Sequence, residues 1–261
     1  MTDRAPLPVQ RDLWIASDLH LVSDHETTAQ VLIESIDTHL QAGDRLVLAG
    51  DLFDAFAGEK AIFLDRYARV TSALVAAGER GVAIDVLEGN HDIHLRPWVA
   101  RIPGARHHSE GVSLLWGARR VWVEHGDRVN QADYGYRALR AFFQSSLMRG
   151  VVQFSPDTLF DRFAQFASRT SRTGHPMLPE SLPPDQLSAL RRVYRESASS
   201  RLLRDFEVVV YGHCHDLDEL RFDAGGRQVQ YINMGFPPVH GFILRGPVGG
   251  QFLERAPLRG A

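Results

Sequence analysis

The chain has 261 residues, 44% of them hydrophobic, which is enough for one large α/β domain with a sizeable core. A formal net charge of −3, with Lys60 the only lysine among 29 basic residues, gives no global attraction to nucleic acid or anionic lipid. A single cysteine, Cys214, excludes an internal disulfide, and no apolar run approaches the roughly 20 residues that cross a bilayer. Residues 1–12 are polar and lack the apolar centre of a signal peptide, so the sequence predicts a soluble, cytoplasmic protein.

Apolar runs alternate with helical patterns through the first half. Residues 13–17 read as a strand ending at Asp18, and 27–41 as a helix with Gly43 as its stop. A second strand, 45–49, runs into Gly50 and Asp51; a helix over 61–77 and a strand over 82–87 follow, separated by Gly81. Residues 112–116 and 121–124 form a hairpin around Gly117. This β-α-β order predicts a buried, largely parallel sheet.

Residues 134–204 carry no strand signal. Tyr136, Leu139, Phe143, Leu147 and Val151 fall at helical spacing until Pro156 breaks the run, and Leu159, Phe160, Phe163 and Phe166 mark a second helix. A Pro-, Ser- and Arg-rich loop over 168–184 and a helix over 185–197 complete what reads as a helical cap inserted over the sheet ends. Short strands at 208–211, 219–222, 229–233, 241–244 and 251–253 follow, with Ala224-Gly225-Gly226 the clearest turn. The predicted fold is α/β, two sheets face to face with helices outside. One domain spans 13–254 with the cap at 134–204, and flexible termini occupy 1–12 and 255–261.

Five stretches place metal-binding side chains just after predicted strands. They are Asp18-Leu19-His20, Gly50-Asp51, Gly89-Asn90-His91-Asp92, His125-Gly126-Asp127 and Gly212-His213-Cys214-His215. Carboxylate, amide oxygen and imidazole together suit Mn, Fe, Zn or Mg rather than softer ions. Each motif alone is weak, but five in this order point to a metal centre with Asp18, His20, Asp51, Asn90, His125, His213 and His215 as ligands. D-x-H spacing sends both side chains to one side of a strand end. Two cations held roughly 3.5–4 Å apart need a bridging carboxylate, and Asp51, alone in its motif, is the natural bridge. His25, His39, His94, His107, His108, His175 and His240 have no such partner spacing and are expected in surface or loop roles; Cys214 is expected to pack away from the metals. Arg140, Arg149, Arg162, Arg169 and Arg172 either grip a phosphate or an anionic surface or form a solvated face.

The succession D-x-H, G-D, G-N-H-D, H-G-D and G-H-x-H resembles the calcineurin-like metallophosphoesterase superfamily over residues 13–233. That resemblance implies a four-layer double β-sandwich flanked by helices, holding two divalent metal ions, with Mn first among Mn, Fe, Zn and Mg. Asp18, His20, Asp51 and His215 would bind one ion and Asp51, Asn90, His125 and His213 the other. The two cations would polarise a phosphoryl group for in-line attack by water. His91 would stabilise the transition state or protonate the leaving group, with Asp92 fixing its orientation.

Within that superfamily, His125-Gly126-Asp127 followed by Asp133-x-Gly135-Tyr136-x-x-x-Arg140 resembles the UDP-2,3-diacylglucosamine diphosphatases of the lipid A pathway. Gly50-Asp51-Leu52-Phe53-Asp54 is similar to that family's G-D-L-F-E. The resemblance implies a nucleotide-linked, acylated sugar as substrate and acyl chains held by the cap. It also implies peripheral contact with the cytoplasmic face of the inner membrane, no nucleic-acid partner, and Asp133, Tyr136, Arg140, Arg169 and Arg172 as substrate-side residues. The chain departs from the family at His91, where arginine is usual, and in 168–172, a loose counterpart of the family's cap loop. Both departures bear on which phosphate compound is cleaved. The alternatives are a phosphodiesterase or phosphatase acting on a soluble nucleotide or phosphoprotein, and a non-catalytic module retaining its metal site.

Overall fold

The computed structural model describes residues 5–58, 60–131, 134–158 and 179–258. Its strands in the first half are β1 (Leu7–Val9), β2 (Leu13–Ala16), β3 (Arg45–Ala49), β4 (Phe56–Ala57), β5 (Ala83–Leu87), β6 (Asp92–Ile93), β7 (Arg106–His108), β8 (Gly111–Trp116) and β9 (Arg119–Glu124). The second half adds β10 (Val208–Tyr211), β11 (Leu217–Asp223), β12 (Gln228–Met234), β13 (Phe242–Gly246) and β14 (Glu254–Pro257). The helices are α1 (Thr27–His39), α2 (Ala61–Arg66), α3 (Ala68–Glu79), α4 (Arg96–Val99), α5 (Tyr134–Phe143), α6 (Ser146–Phe154), α7 (Pro184–Leu202) and α8 (Pro237–His240).

Alternation along the strands explains how these elements stack. In β2, Leu13 and Ile15 enter one core while Trp14 and Ala16 enter another; in β3, Val47 and Ala49 part from Leu46 and Leu48 in the same way. Successive side chains point to opposite faces of a strand, so a strand apolar at every position must be covered on both sides. The sheet β14-β13-β2-β3-β5-β7 is therefore sandwiched, with α1, α3 and α4 on its outer face. Its inner face meets the sheet β1-β8-β9-β10-β12-β11 through Val112, Leu114, Val121, Val123, Val208, Val210 and Ile232. On the far side of that second sheet Val209, Tyr211 and Tyr231 pack against Tyr194, Ala198 and Leu202 of α7. The result is four layers, helix-sheet-sheet-helix, as the sequence predicts.

Several boundaries differ from expectation for identifiable reasons. The expected helix over 61–77 is two helices broken at Tyr67, whose φ of −118° and ψ of 29° leave the helical region. The break lets the Tyr67 hydroxyl donate to the Leu21 carbonyl at 2.8 Å. The first cap helix likewise divides into α5 and α6 because Ser145 turns out of the helix and its hydroxyl caps Met148 N–H at 3.2 Å. The termini are not loose among the described residues: β1 pairs in parallel with β8, and β14 pairs with β13, displacing the strand expected at 251–253. The cap helix expected around Leu159, Phe160, Phe163 and Phe166 lies outside the described residues, as do Asp133, Arg162, Arg169, Arg172 and His175.

Candidate metal centre

The loops after β2, β3, β5, β9 and β10 converge at one end of the sandwich. Two of them zip together by main-chain bonds: Asp18 N–H donates to Gly50 O at 3.1 Å, His20 N–H to Asp51 O at 3.0 Å and Leu21 N–H to Leu52 O at 2.9 Å. Six non-glycine residues among those described have positive φ, and five of them are Asp18, His20, Asp51, His213 and His215. The sixth is His94. Left-handed backbone at a residue with a Cβ costs on the order of 1 kcal/mol each and persists only where the surroundings enforce it. D-x-H and H-x-H therefore do not work here as extended strand ends; each pair converges through two left-handed kinks beyond the strand.

Close packing explains the glycines in these motifs. A Cβ at Gly89 would overlap the Asp51 carboxylate, one at Gly212 the Asp18 carboxylate and Ser17 hydroxyl, and one at Gly50 the His125 ring. The backbone must pass this close for its amides to reach the acids. His213 N–H bonds to both Asp18 oxygens at 3.0 Å, and Asn90 N–H and His91 N–H donate to Asp51 Oδ1 at 2.8 and 2.9 Å.

With Oδ1 so engaged, Asp51 Oδ2 points between two groups. It lies 3.7 Å from His20 Nε2 on one side and 3.4 Å from His125 Nε2 on the other. Beside His20 stand His215, its Nε2 3.1 Å from His20 Nε2, and Asp18, whose Oδ1 is 3.5 Å from His215 Nε2. Beside His125 stand Asn90, its Oδ1 3.3 Å from His125 Nε2, and His213, whose ring centroid is 5.1 Å from that of His125. Asp18-His20-His215 and Asp51-His125-His213 each bring one ligand atom per residue within 4.8 Å of the others. His125 Nδ1 donates to Ala49 O at 3.1 Å, since a carbonyl only accepts, so Nε2 is the ring nitrogen that would face a metal. The donor set is hard and borderline, and it fits divalent metals.

Electrostatics agree with that fit. Burial would raise Asp51, yet the imidazoles of His125, His91 and His20 outweigh it and hold the carboxyl well below its usual range. Burial lowers His20 and His213 to about 4, leaving both neutral at physiological pH. Burial also acts against charge on His125, but the carboxylates of Asp51, Asp18 and Asp127 raise it to about 10. In the metal-free protein His125 therefore carries the proton that a cation would replace.

His91 and Asp92 play different parts from the expected pair. Asp92 does not orient His91. Its buried carboxylate accepts the N–H groups of Leu52 at 2.7 Å, Gly89 at 2.9 Å and Asp51 at 3.2 Å, so it braces the Asp51 loop. Burial and the nearby Asp51 push this carboxyl up to about 8. His91 is held instead by Asp54, whose carbonyl accepts from Nδ1 at 2.9 Å, leaving Nε2 free to serve the site. The Asp54 carboxylate lies 3.9 Å from ring nitrogens of both His20 and His91, and these three residues form a third cluster of metal-binding type. Asp54 was legible only as the last residue of G-D-L-F-D.

Tyr136 and Arg140 converge on Asp127. The Tyr136 hydroxyl donates to Asp127 Oδ2 at 3.1 Å and Arg140 forms an ion pair with the same oxygen, so both anchor the cap to the H-G-D loop. Tyr136 also lies 5.6 Å from the His213 ring. Phe236 stacks on His215 at 4.6 Å and walls the other side. Cys214 points away from the acids toward Asn233 Nδ2 at 2.9 Å. Three histidines expected in surface or loop roles are tied into the structure: His107 meets Glu88 at 2.9 Å, His108 meets Asp85 at 2.7 Å, and His240 Nδ1 accepts from Phe236 N–H at 2.8 Å. His94 is buried.

No family model matches the chain. UDP-2,3-diacylglucosamine hydrolase of Xanthomonas axonopodis pv. citri is 25% identical over 243 residues, covering 93% of this chain and 98% of the relative. The protein of the same name from Bordetella pertussis is 28% identical over 215 residues, covering 80% and 79%. An archaeal phosphodiesterase of known structure superposes with a TM-score of 0.44 at 12% identity over 94% of this chain and 99% of that one, too distant to carry weight. The two relatives support the metallophosphoesterase resemblance, and both are named as hydrolases.

Proposed function

We propose that this protein cleaves the pyrophosphate of UDP-2,3-diacylglucosamine, or of a closely related nucleotide-linked lipid, at a dinuclear metal centre. The observation that carries the dinuclear reading is the single oxygen, Asp51 Oδ2, facing His20 at 3.7 Å and His125 at 3.4 Å. Asp18, His20, Asp51 and His215 would hold one divalent ion, and Asp51, Asn90, His125 and His213 the other, with Mn the first choice. Such a pair supplies charge to the phosphoryl oxygens and a nucleophilic water at neutral pH. His91, fixed through Nδ1 by the Asp54 carbonyl, presents Nε2 to the leaving group, and in the form with both ring nitrogens protonated it would serve as proton donor or as a hydrogen bond to the phosphoryl oxygens. Asp92 keeps the Asp51 loop in place, and Phe236 and Tyr136 narrow access for bulk water.

Two observations support an acylated substrate. The relatives carry that substrate in their names. The cap helices leave Leu139 54%, Leu147 68% and Phe154 83% exposed, a concentration of apolar surface suited to acyl chains or to a membrane face. On this reading the protein works at the cytoplasmic surface of the inner membrane, and Asp133, Arg169 and Arg172 are candidate substrate-binding residues. His91 favours a second reading, a soluble nucleotide diester, because it stands where the lipid-cleaving family has arginine.

Hydrolysis of UDP-2,3-diacylglucosamine by the Mn-loaded protein, with a soluble nucleotide diester in parallel and Asp51→Ala as control, separates the two. Release of UMP that vanishes in the variant supports the lipid. Turnover of the diester alone would keep the metal chemistry and discard the lipid.

A further inference from the structure

The last turn of α5, together with Gln144 just beyond it, spans two metal-ligand loops. Arg140 pairs with Asp127, two residues beyond His125, and its Nη1 donates to Gln144 Oε1 at 2.7 Å. Gln144 Nε2 then reaches Glu88 Oε2 at 3.4 Å, and Glu88 lies two residues before Asn90. The far end is itself anchored, since Glu88 Oε1 accepts the Leu95 N–H and meets His107 Nε2, both at 2.9 Å. Asp127, Arg140 and Glu88 are buried and Gln144 is half-buried, so the chain of contacts is largely shielded from the screening that weakens surface pairs. Residues four apart on a helix share a face, which is why one turn can hold both loops.

Asn90 and His125 approach each other, Oδ1 to Nε2, at 3.3 Å, although they belong to loops after β5 and β9 in different sheets. Among the described contacts, Asp127-Arg140-Gln144-Glu88 is a side-chain route that crosses between the flanks of those two loops outside the site itself. We propose that Gln144 and Arg140 are positioning residues: they set the separation of Asn90 from His125 and so tune the second of the two metal sites while leaving the first alone. The inference rests on the dinuclear reading above. It makes the cap part of the metal centre's support as well as a cover, so a substrate that shifts α5 also shifts this pair of ligands.

The test is Mn2+ titration of the full-length, metal-stripped protein, following free Mn2+ by electron paramagnetic resonance, with melting temperature measured in parallel. Gln144→Leu is expected to weaken one of two Mn2+ sites about tenfold or more, the usual consequence of removing an outer contact to a ligand loop, and to leave the other site within about twofold. Ala138→Gln, on the exposed side of the same helix, is expected to change neither site. Gln144→Glu sets a carboxylate against Glu88 and is expected to weaken the same site. Adding Glu88→Gln reverses the polarity of that contact and is expected to restore it, which keeps the test open should Gln144→Leu fold poorly. Unchanged affinities at both sites in Gln144→Leu and Gln144→Glu, even with a lowered melting temperature, would overturn the proposal and leave the contacts as helix anchoring. Fewer than two Mn2+ in the wild-type protein would overturn the dinuclear reading as well, and that result is visible before any variant is made.

Discussion

His20 and His215 bring their Nε2 atoms within 3.1 Å of one another across 195 positions of sequence. Such a contact is satisfied when one ring donates a proton to the other, while Asp18 Oδ1 and Asp51 Oδ2 lie 3.5 and 3.7 Å away. A divalent cation would satisfy all four groups together, and burial already holds His20 to about 4, ready to coordinate without first losing a proton. His20→Ala should therefore lower the metal content from two ions to one and abolish turnover, measured by elemental analysis beside the hydrolysis assay. Two retained ions would contradict the assignment of His20.

His125 should make metal binding depend on pH. Its folded value of about 10 lies above the ordinary imidazole value of 6.5, so below pH 10 the metal-free protein holds a proton there. Coordination releases it, and apparent affinity should rise by up to about tenfold per pH unit through the neutral range. The same shift stabilises the metal-free fold below pH 6.5, a contribution lost as pH rises toward 10. Calorimetry in buffers of different ionisation enthalpy checks the release; proton-independent binding would remove His125 from the ligand set.

Gly212 has no room for a side chain. Gly212→Ala would drive a methyl group into the Asp18 carboxylate and the Ser17 hydroxyl, which are themselves bonded at 2.6 Å. The expected cost is about 1–3 kcal/mol by urea unfolding, with loss of the metal bound by Asp18. A stable variant with full metal content would mean that the loop relaxes more easily than its packing implies.

Arg191 clamps the outer helix α7 to the residue after His215. Its Nε and Nη2 each lie 2.8 Å from an oxygen of the buried Asp216. Arg191→Ala strands that carboxylate and should cost about 2 kcal/mol, less than the 3–5 of a fully buried pair because Arg191 is 31% exposed. A double-mutant cycle with Asp216→Asn measures the coupling, and a value near zero would reduce the clamp to an ordinary surface pair.

Much of this was legible in the sequence because periodicity and chemistry coincide there. The strands at 45–49 and 208–211 have the expected bounds, since buried β-strands apolar on both faces leave little choice of register. The seven expected ligands are brought together because glycine beside an acid or imidazole at a strand end is a local signal. What was not legible depends on contacts between distant segments. Tyr67 breaks a helix to reach Leu21, Asp92 turns from His91 to the amides of the Asp51 loop, and Asp54 enters through its main-chain carbonyl. The left-handed φ of Asp18, His20, Asp51, His213 and His215 is uncommon for any residue with a Cβ and is supported by tertiary hydrogen bonds such as Asp18 N–H to Gly50 O and His20 N–H to Asp51 O. β1 was missed because three residues, Leu7–Val9, are too short for a period-two signal.

Electron paramagnetic resonance of the Mn-loaded protein beside Asp51→Asn asks directly whether two cations share Asp51. Two Mn2+ per chain with an exchange-coupled spectrum are expected in the wild type. In the variant, which keeps the shape but weakens the bridging oxygen, coupling and turnover should be lost together. Two uncoupled ions, or a coupled pair that survives Asp51→Asn, would contradict that sharing.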